Sequence, residues 1–303
     1  MKKARIIIIF IVVIGALSVT VFIANQVRPE ESQYNFISEA GYYNLIAEDY
    51  LVRIEALQWD SLDKSVLRYK EVEEFLYAST QCIDHVAERT NRKNWTKELS
   101  RISEEGKAIV IVEIKEEVTS RALQKEGIVV LNKTEVEQDF FPLEHELTHI
   151  VMGICSEGTL SEGFACYMSQ KELGVIDTPG FELESHTVAK VCLDEPYISQ
   201  YKTFLEVIGY ATDSTIMDNE NKTGFYVFAY SYVDYLVASY GLDAVVELYN
   251  SHGNEEAYEK VLGRQSEEIK NEWLNYLNQK DIGMTSDEVI EYILEKRKFY
   301  HLD

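Results

Sequence analysis

The stretch "FPLEHELTHIVMG", Phe141 to Gly153, decides how the rest of the chain is read. It sets His145 and His149 four residues apart, with Glu146 directly after the first. On an α-helix positions i and i+4 share a face, so the two imidazoles can converge on one ion. Glu146 lies about 100° further round. From there its carboxylate can reach a metal-activated water without being a ligand, take the proton and pass it to a leaving amine. Pro142 suits the first turn of such a helix and Gly153 its end. A helix surface with two unrelated histidines would read the same way.

A hydrolytic zinc site needs a third protein ligand and an open fourth position. "TLSEGFACY", Thr159 to Tyr167, offers Glu162, thirteen residues after His149. A turn and a helix start lie between them, so two antiparallel helices can aim Glu162 at the histidines. The same residues form a capping box: Thr159 on a backbone N–H of the first turn, and Glu162 reaching back. Spacing alone leaves both readings open.

Around this pair the period changes twice. From about Tyr34 to Asn94 the pattern is helical, with Val72, Phe75, Leu76, Ile83 and Val86 near one stripe and His85 beside it. "KAIVIVEIK" (Lys107 to Lys115) and "GIVVLNK" (Gly127 to Lys133) are short and rich in Ile and Val, and predict two strands. Phe181 to Thr223 is mixed and polar, and "DSTIMDNENKTG" reads as a loop. Beyond it "FYVFAYSYVDYLVASYG", "LDAVVELYNSHG", "EEAYEKVLG", "SEEIKNEWLNYL" and "SDEVIEYILEKRKFY" predict successive helices. The expected class is α+β: a small sheet and the HExxH helix, then a mostly helical C-terminal lobe, preceded by a transmembrane helix.

That last expectation rests on "MKKARIIIIFIVVIGALSVTVFIANQ". Lys2, Lys3 and Arg5 precede an uncharged run from Ile6 to Ala24, and nineteen residues of helix span about 28 Å. Basic residues before the run and Glu30 and Glu31 after it place the N-terminus inside and the remainder outside the cytoplasm. Ala16-Leu17-Ser18 offers a cleavage site, so a secreted form is the alternative. The expected organisation is a cytoplasmic stub and anchor over 1–31, a helical leader over 32–68 and the main domain over 69–303.

The 303 residues carry a net charge of -23, and 26 basic residues against 52 acidic follow the three leading charges. Such a surface argues against nucleic acid, which needs clustered Lys and Arg. Cys82, Cys155, Cys166 and Cys192 are scattered and show no CxxC. Disulfides are permitted outside the cytoplasm, and buried free thiols fit equally well.

"HELTH" followed by "LSEGFACY" resembles the gluzincin metallopeptidases, in which HExxH precedes a glutamate in an EGxAxY-type helix. The short spacing is similar to their compact peptidase MA-like branch, as is "YVFAYSYVDYLVASYGLDAVVELY", and the resemblance covers about Tyr69 to Leu277. It implies a zinc-dependent peptidase with His145, His149 and Glu162 as ligands and Glu146 as general base. It also implies a tyrosine that hydrogen-bonds the oxyanion. Tyr226 fits that helix best, Tyr230 is one turn on, and His186 is a further donor; core packing is the ordinary alternative for either tyrosine. Two departures stand out. No Gly-x-Met-Glu-Asn-like stretch precedes HELTH, which favours an endopeptidase over an aminopeptidase acting on a peptide or protein laid along Gly127 to Lys133. Cys166 stands four residues after Glu162, where thermolysin-like enzymes carry an acidic residue, so some other group is expected to orient the histidines. A binding or sensing ectodomain on the same fold, with zinc structural or absent, is the competing function.

Overall fold

Short runs of β-branched residues bounded by turns build the sheet. The structure is a computed structural model that describes residues 34–176, 182–194 and 219–299. Strands β1 (Asn35–Glu39) and β2 (Tyr42–Ile46) are joined by a two-residue turn, Ala40-Gly41, with φ of 49° and 82°. Positive φ at both positions is what a tight hairpin requires. β2 runs antiparallel to β3 (Tyr50–Glu55), which pairs in parallel with β4 (Ala108–Lys115). β5 (Arg121–Leu123) is antiparallel to β6 (Ile128–Asn132), and β6 is parallel to β4. The order β1-β2-β3-β4-β6-β5 makes a mixed six-stranded sheet.

The class is α+β, with eleven α-helices among the described residues. Helix α1 (Ala56–Asp60) follows β3 directly, and α2 (Val72–Arg89) completes the crossover to β4. Next come α3 (Lys133–Glu137), α4 (Leu143–Met152) and α5 (Gly158–Cys166); a π-helical turn, Tyr167–Glu172, continues α5. The C-terminal lobe is α6 (Ser185–Asp194), α7 (Asn219–Tyr240), α8 (Leu242–Asn250), α9 (Glu255–Leu262), α10 (Ser266–Gln279) and α11 (Ser286–Phe299). The helices expected from Phe225 onward are all present.

Three expectations need correction. The stretch 32–68 is not a helical leader: β1 to β3 occupy Asn35–Glu55, and residues from Phe36 onward belong to one compact unit. Leu51, Val52 and Ile54 are buried on an inner strand, and a strand buried on both faces shows near-continuous apolar residues rather than alternation. The polar stretch read as a loop is helical from Asn219, and Ser185–Asp194 is a helix that the mixed pattern hid. Finally, β6 is not an edge. Its flanks are taken by β4 and, over Ile128 to Val130, by β5, so Gly127 to Lys133 is not a continuous open edge; β5 is the outermost strand on that side. No helix among the described residues is long and apolar enough to cross a membrane, and the span expected at Ile6 to Ala24 lies outside them.

The turn from β6 into α3 is held by Asn132. Its Oδ1 accepts from the N–H groups of Thr134 at 2.8 Å and Glu135 at 3.3 Å, and its Nδ2 donates to the Val118 carbonyl at 2.7 Å. Asn132→Ala removes a helix cap and a loop tie together. It is expected to lower stability by about 1–2 kcal/mol, read as a shift of the denaturation midpoint with an unchanged slope.

Candidate metal centre

Helix α4 is the HELTH segment, with Pro142 and Gly153 at its ends as expected. All ten of its residues are buried, including Glu144, His145, Glu146 and His149, each about 5–6% exposed. Burying four titratable groups in one short helix costs free energy unless they find partners. Glu144 and Glu146 sit in the first turn, where the helix dipole favours negative charge. The C-terminal end is satisfied from three sides. Arg92 Nε donates to the Val151 carbonyl at 3.3 Å, and the Gly153 carbonyl accepts from Tyr249 Oη at 3.0 Å and Gln124 Nε2 at 3.2 Å. Gln124 follows β5, so the edge strand is tied to the end of the site helix.

Helix α5 brings the third group. Its N-cap is Glu157, whose side chain accepts from the Leu160 N–H. Thr159 lies inside the helix, so Glu162 is not bound to a capping box. Its carboxylate turns to α4: Oε2 is 3.1 Å from His145 Nε2 and 3.3 Å from His149 Nε2, and the two Nε2 atoms are 3.2 Å apart. These three residues form a group that can hold a metal ion.

The donor set passes a geometric test. A triangle with edges of 3.1, 3.2 and 3.3 Å has a circumradius of about 1.85 Å. A point about 0.9 Å off its plane is then about 2.05 Å from every corner, the bond length of nitrogen and oxygen donors to a small divalent ion. The histidine side chains are 7% exposed and that of Glu162 is 28% exposed, so the site is reached from the glutamate's side. Burial pushes the Glu162 carboxyl up, but the charge of His149 and hydrogen bonds from both imidazoles outweigh it and hold it well below its ordinary value. Burial also opposes charge on His145; Cys166, Glu162 and Glu146 outweigh that and raise it.

Close packing places the C-terminal lobe against this group. A Cβ at Gly163 would sit 2.2 Å from the Ala229 carbonyl oxygen and 2.7 Å from Val233 Cγ2. Only glycine lets α5 lie this close to α7. The Tyr226 ring on α7 is half-buried and meets the His145 ring edge-on, with centroids 5.8 Å apart. Tyr230 is 4% exposed and belongs to the core of the lobe. His186 is held elsewhere: Nδ1 is 2.9 Å from Ser231 Oγ, Nε2 faces Asp234 at 3.7 Å, and the ring packs on Tyr276. Trp273 Nε1 donates to the same Ser231 hydroxyl at 3.1 Å, so His186 joins α6, α7 and α10.

None of the four cysteines is in a disulfide. Burial pushes the thiols of Cys155 and Cys192 up to about 12, which keeps them protonated and unreactive. Contrary to the expectation of another group, Cys166 itself meets the histidines: its Sγ is 3.6 Å from His145 Nδ1, because the four-residue step from Glu162 keeps both on one helix face. Gly163 was quoted as part of the motif, but its packing role depends on α7 and has no local signal.

No protein-family model matches the chain, and no curated protein is found similar to it. The gluzincin resemblance therefore rests on the quoted residues themselves.

Two measurements check the site. The purified chain is expected to bind one equivalent of a divalent transition metal, and His149→Ala or Glu162→Ala to weaken it by more than about 100-fold, beyond the usual effect of an outer residue. Gly163→Ala is expected to cost about 3 kcal/mol in thermal or chemical unfolding, because the obstacle is backbone and cannot rotate away.

Proposed function

We propose that the chain is a zinc-dependent peptidase, and an endopeptidase rather than an aminopeptidase. The observation that carries this reading is the three-donor triangle with the buried Glu146 carboxylate one residue from its first corner. Two imidazoles and a carboxylate are a donor set suited to Zn²⁺ with one position left open. His145, His149 and Glu162 would hold the ion. When bound, zinc supplies Lewis acidity, polarising a carbonyl and acidifying water.

The chain's own residues do the rest. Glu146 accepts a proton from the attacking water at its carboxylate and returns it to the departing amide nitrogen. Its position on the fully buried α4 excludes bulk water from that exchange. The Tyr226 hydroxyl donates to the oxygen that gains charge in the transition state, a role supported by its contact with the His145 ring. The scissile peptide lies against β5, the free edge beside α4, where backbone N–H and C=O groups are open to pair with an extended segment. The uncharged run at Ile6 to Ala24 supports anchorage of this domain on the outer side of a membrane, with secretion after cleavage as the variant form.

Two substitutions test the chemistry. Glu146→Gln is expected to abolish cleavage of a peptide library while zinc stoichiometry stays at one; equal inertness of both forms with zinc bound would leave a binding or sensing domain instead. Tyr226→Phe is expected to lower kcat by about 100-fold with little change in KM, the signature of a group that acts only in the transition state.

A further inference from the structure

Each imidazole at the centre offers Nε2 to the ion position, and its Nδ1 faces away. The two Nδ1 atoms are treated differently. His149 Nδ1 is buried and has no hydrogen-bond partner among the described residues. His145 Nδ1 meets the sulfur of Cys166 at 3.6 Å, within hydrogen-bonding range for sulfur. Cys166 is 1% exposed and closes α5 one turn after Glu162, so the helix that supplies the third donor also reaches behind the first. The π-helical turn begins at the next residue, Tyr167, and the Cys166 carbonyl accepts from Ser169 Oγ at 3.2 Å, which fixes the backbone that carries the sulfur.

We propose that Cys166 is the positioning residue of this site: its sulfur accepts the Nδ1–H of His145 and so holds the imidazole as the tautomer whose Nε2 lone pair faces the ion. The inference rests on the metal-centre reading above. A ligating imidazole ordinarily donates its second N–H to a carboxylate, carbonyl or water, which sets its tautomer and orientation. Here a thiol sulfur, a weak acceptor, fills that role for one histidine, and no group among the described residues fills it for the other. The sulfur therefore backs His145, while His149 is met by Glu162 and by His145 itself. The sulfur lies behind His145, on the side away from the ion position, and acts through that imidazole.

The test uses the full chain and Zn²⁺ itself, titrated against a chromophoric chelator. Cys166→Ala is expected to weaken zinc binding by about 10–100-fold, with Cys166→Ser recovering most of the loss because its hydroxyl can also accept. Histidine ¹⁵N shifts of the zinc-loaded wild-type chain are expected to show a proton on His145 Nδ1, and a displaced Nδ1 signal in the alanine variant. A Cys166→Ala chain that binds zinc within about twofold of wild type overturns the proposal, as does a zinc-loaded wild type whose His145 Nδ1–H resonates where an imidazole N–H without an acceptor does. Should the alanine variant fail to fold, the wild-type spectrum still decides. A wild-type chain that takes up no zinc is a separate outcome: it overturns the metal centre itself, before any substitution, and this inference with it.

Discussion

The Glu162 carboxylate lies between the Nε2 atoms of His145 and His149, and the surrounding architecture serves that contact. A helix with four titratable side chains buried is unfavourable unless each charge meets an opposite charge or a donor. Glu162 meets two of them at once. Its own carboxyl is held low by the imidazoles, while His145 is raised against its burial first by Cys166 and then by Glu162 and Glu146. The three donors lie within 3.3 Å of one another, and the scaffold around them holds that arrangement.

That scaffold is built by packing rather than by further charge. Gly163 lets α5 touch the α7 backbone, and this contact brings Tyr226 to the His145 ring. The far end of α4 is tied to the loop after α2, to β5 and to α8 through Arg92, Gln124 and Tyr249. In the C-terminal lobe, Ser231 and Asp234 gather His186, Ser185, Lys171 and Trp273 around α7. Each link fixes a helix that carries or backs a donor. The sheet contributes a platform and, through β5, an open edge beside α4.

Much of this was legible locally. The ends of α4 at Pro142 and Gly153 follow from the fixed φ of proline and the positive φ of glycine, 71° here. β4 follows from alternation, and the C-terminal helices follow from amphipathic stripes bounded by glycine. The stretch before residue 56 was misread because an inner strand buried on both faces carries no alternation, and Leu51, Val52 and Ile54 then mimic a helical stripe. Only the hairpin turn at Ala40-Gly41 marked it as sheet. Strand order was equally hidden: β6 looked like the edge beside the motif until the short β5 took its outer flank.

The sequence by itself determined that two imidazoles share a helix face with a carboxylate beside them, because helical periodicity is a local property of the backbone. It also determined that a helix bearing Glu162 and Cys166 on one face would follow. Whether Glu162 caps its own helix or turns outward is a competition between a local and a distant partner, and spacing cannot rank them. The tertiary structure decided it: Glu157 takes the cap, Gly163 admits α7, and α5 is pressed to where the Glu162 oxygen lies within 3.3 Å of both histidine Nε2 atoms.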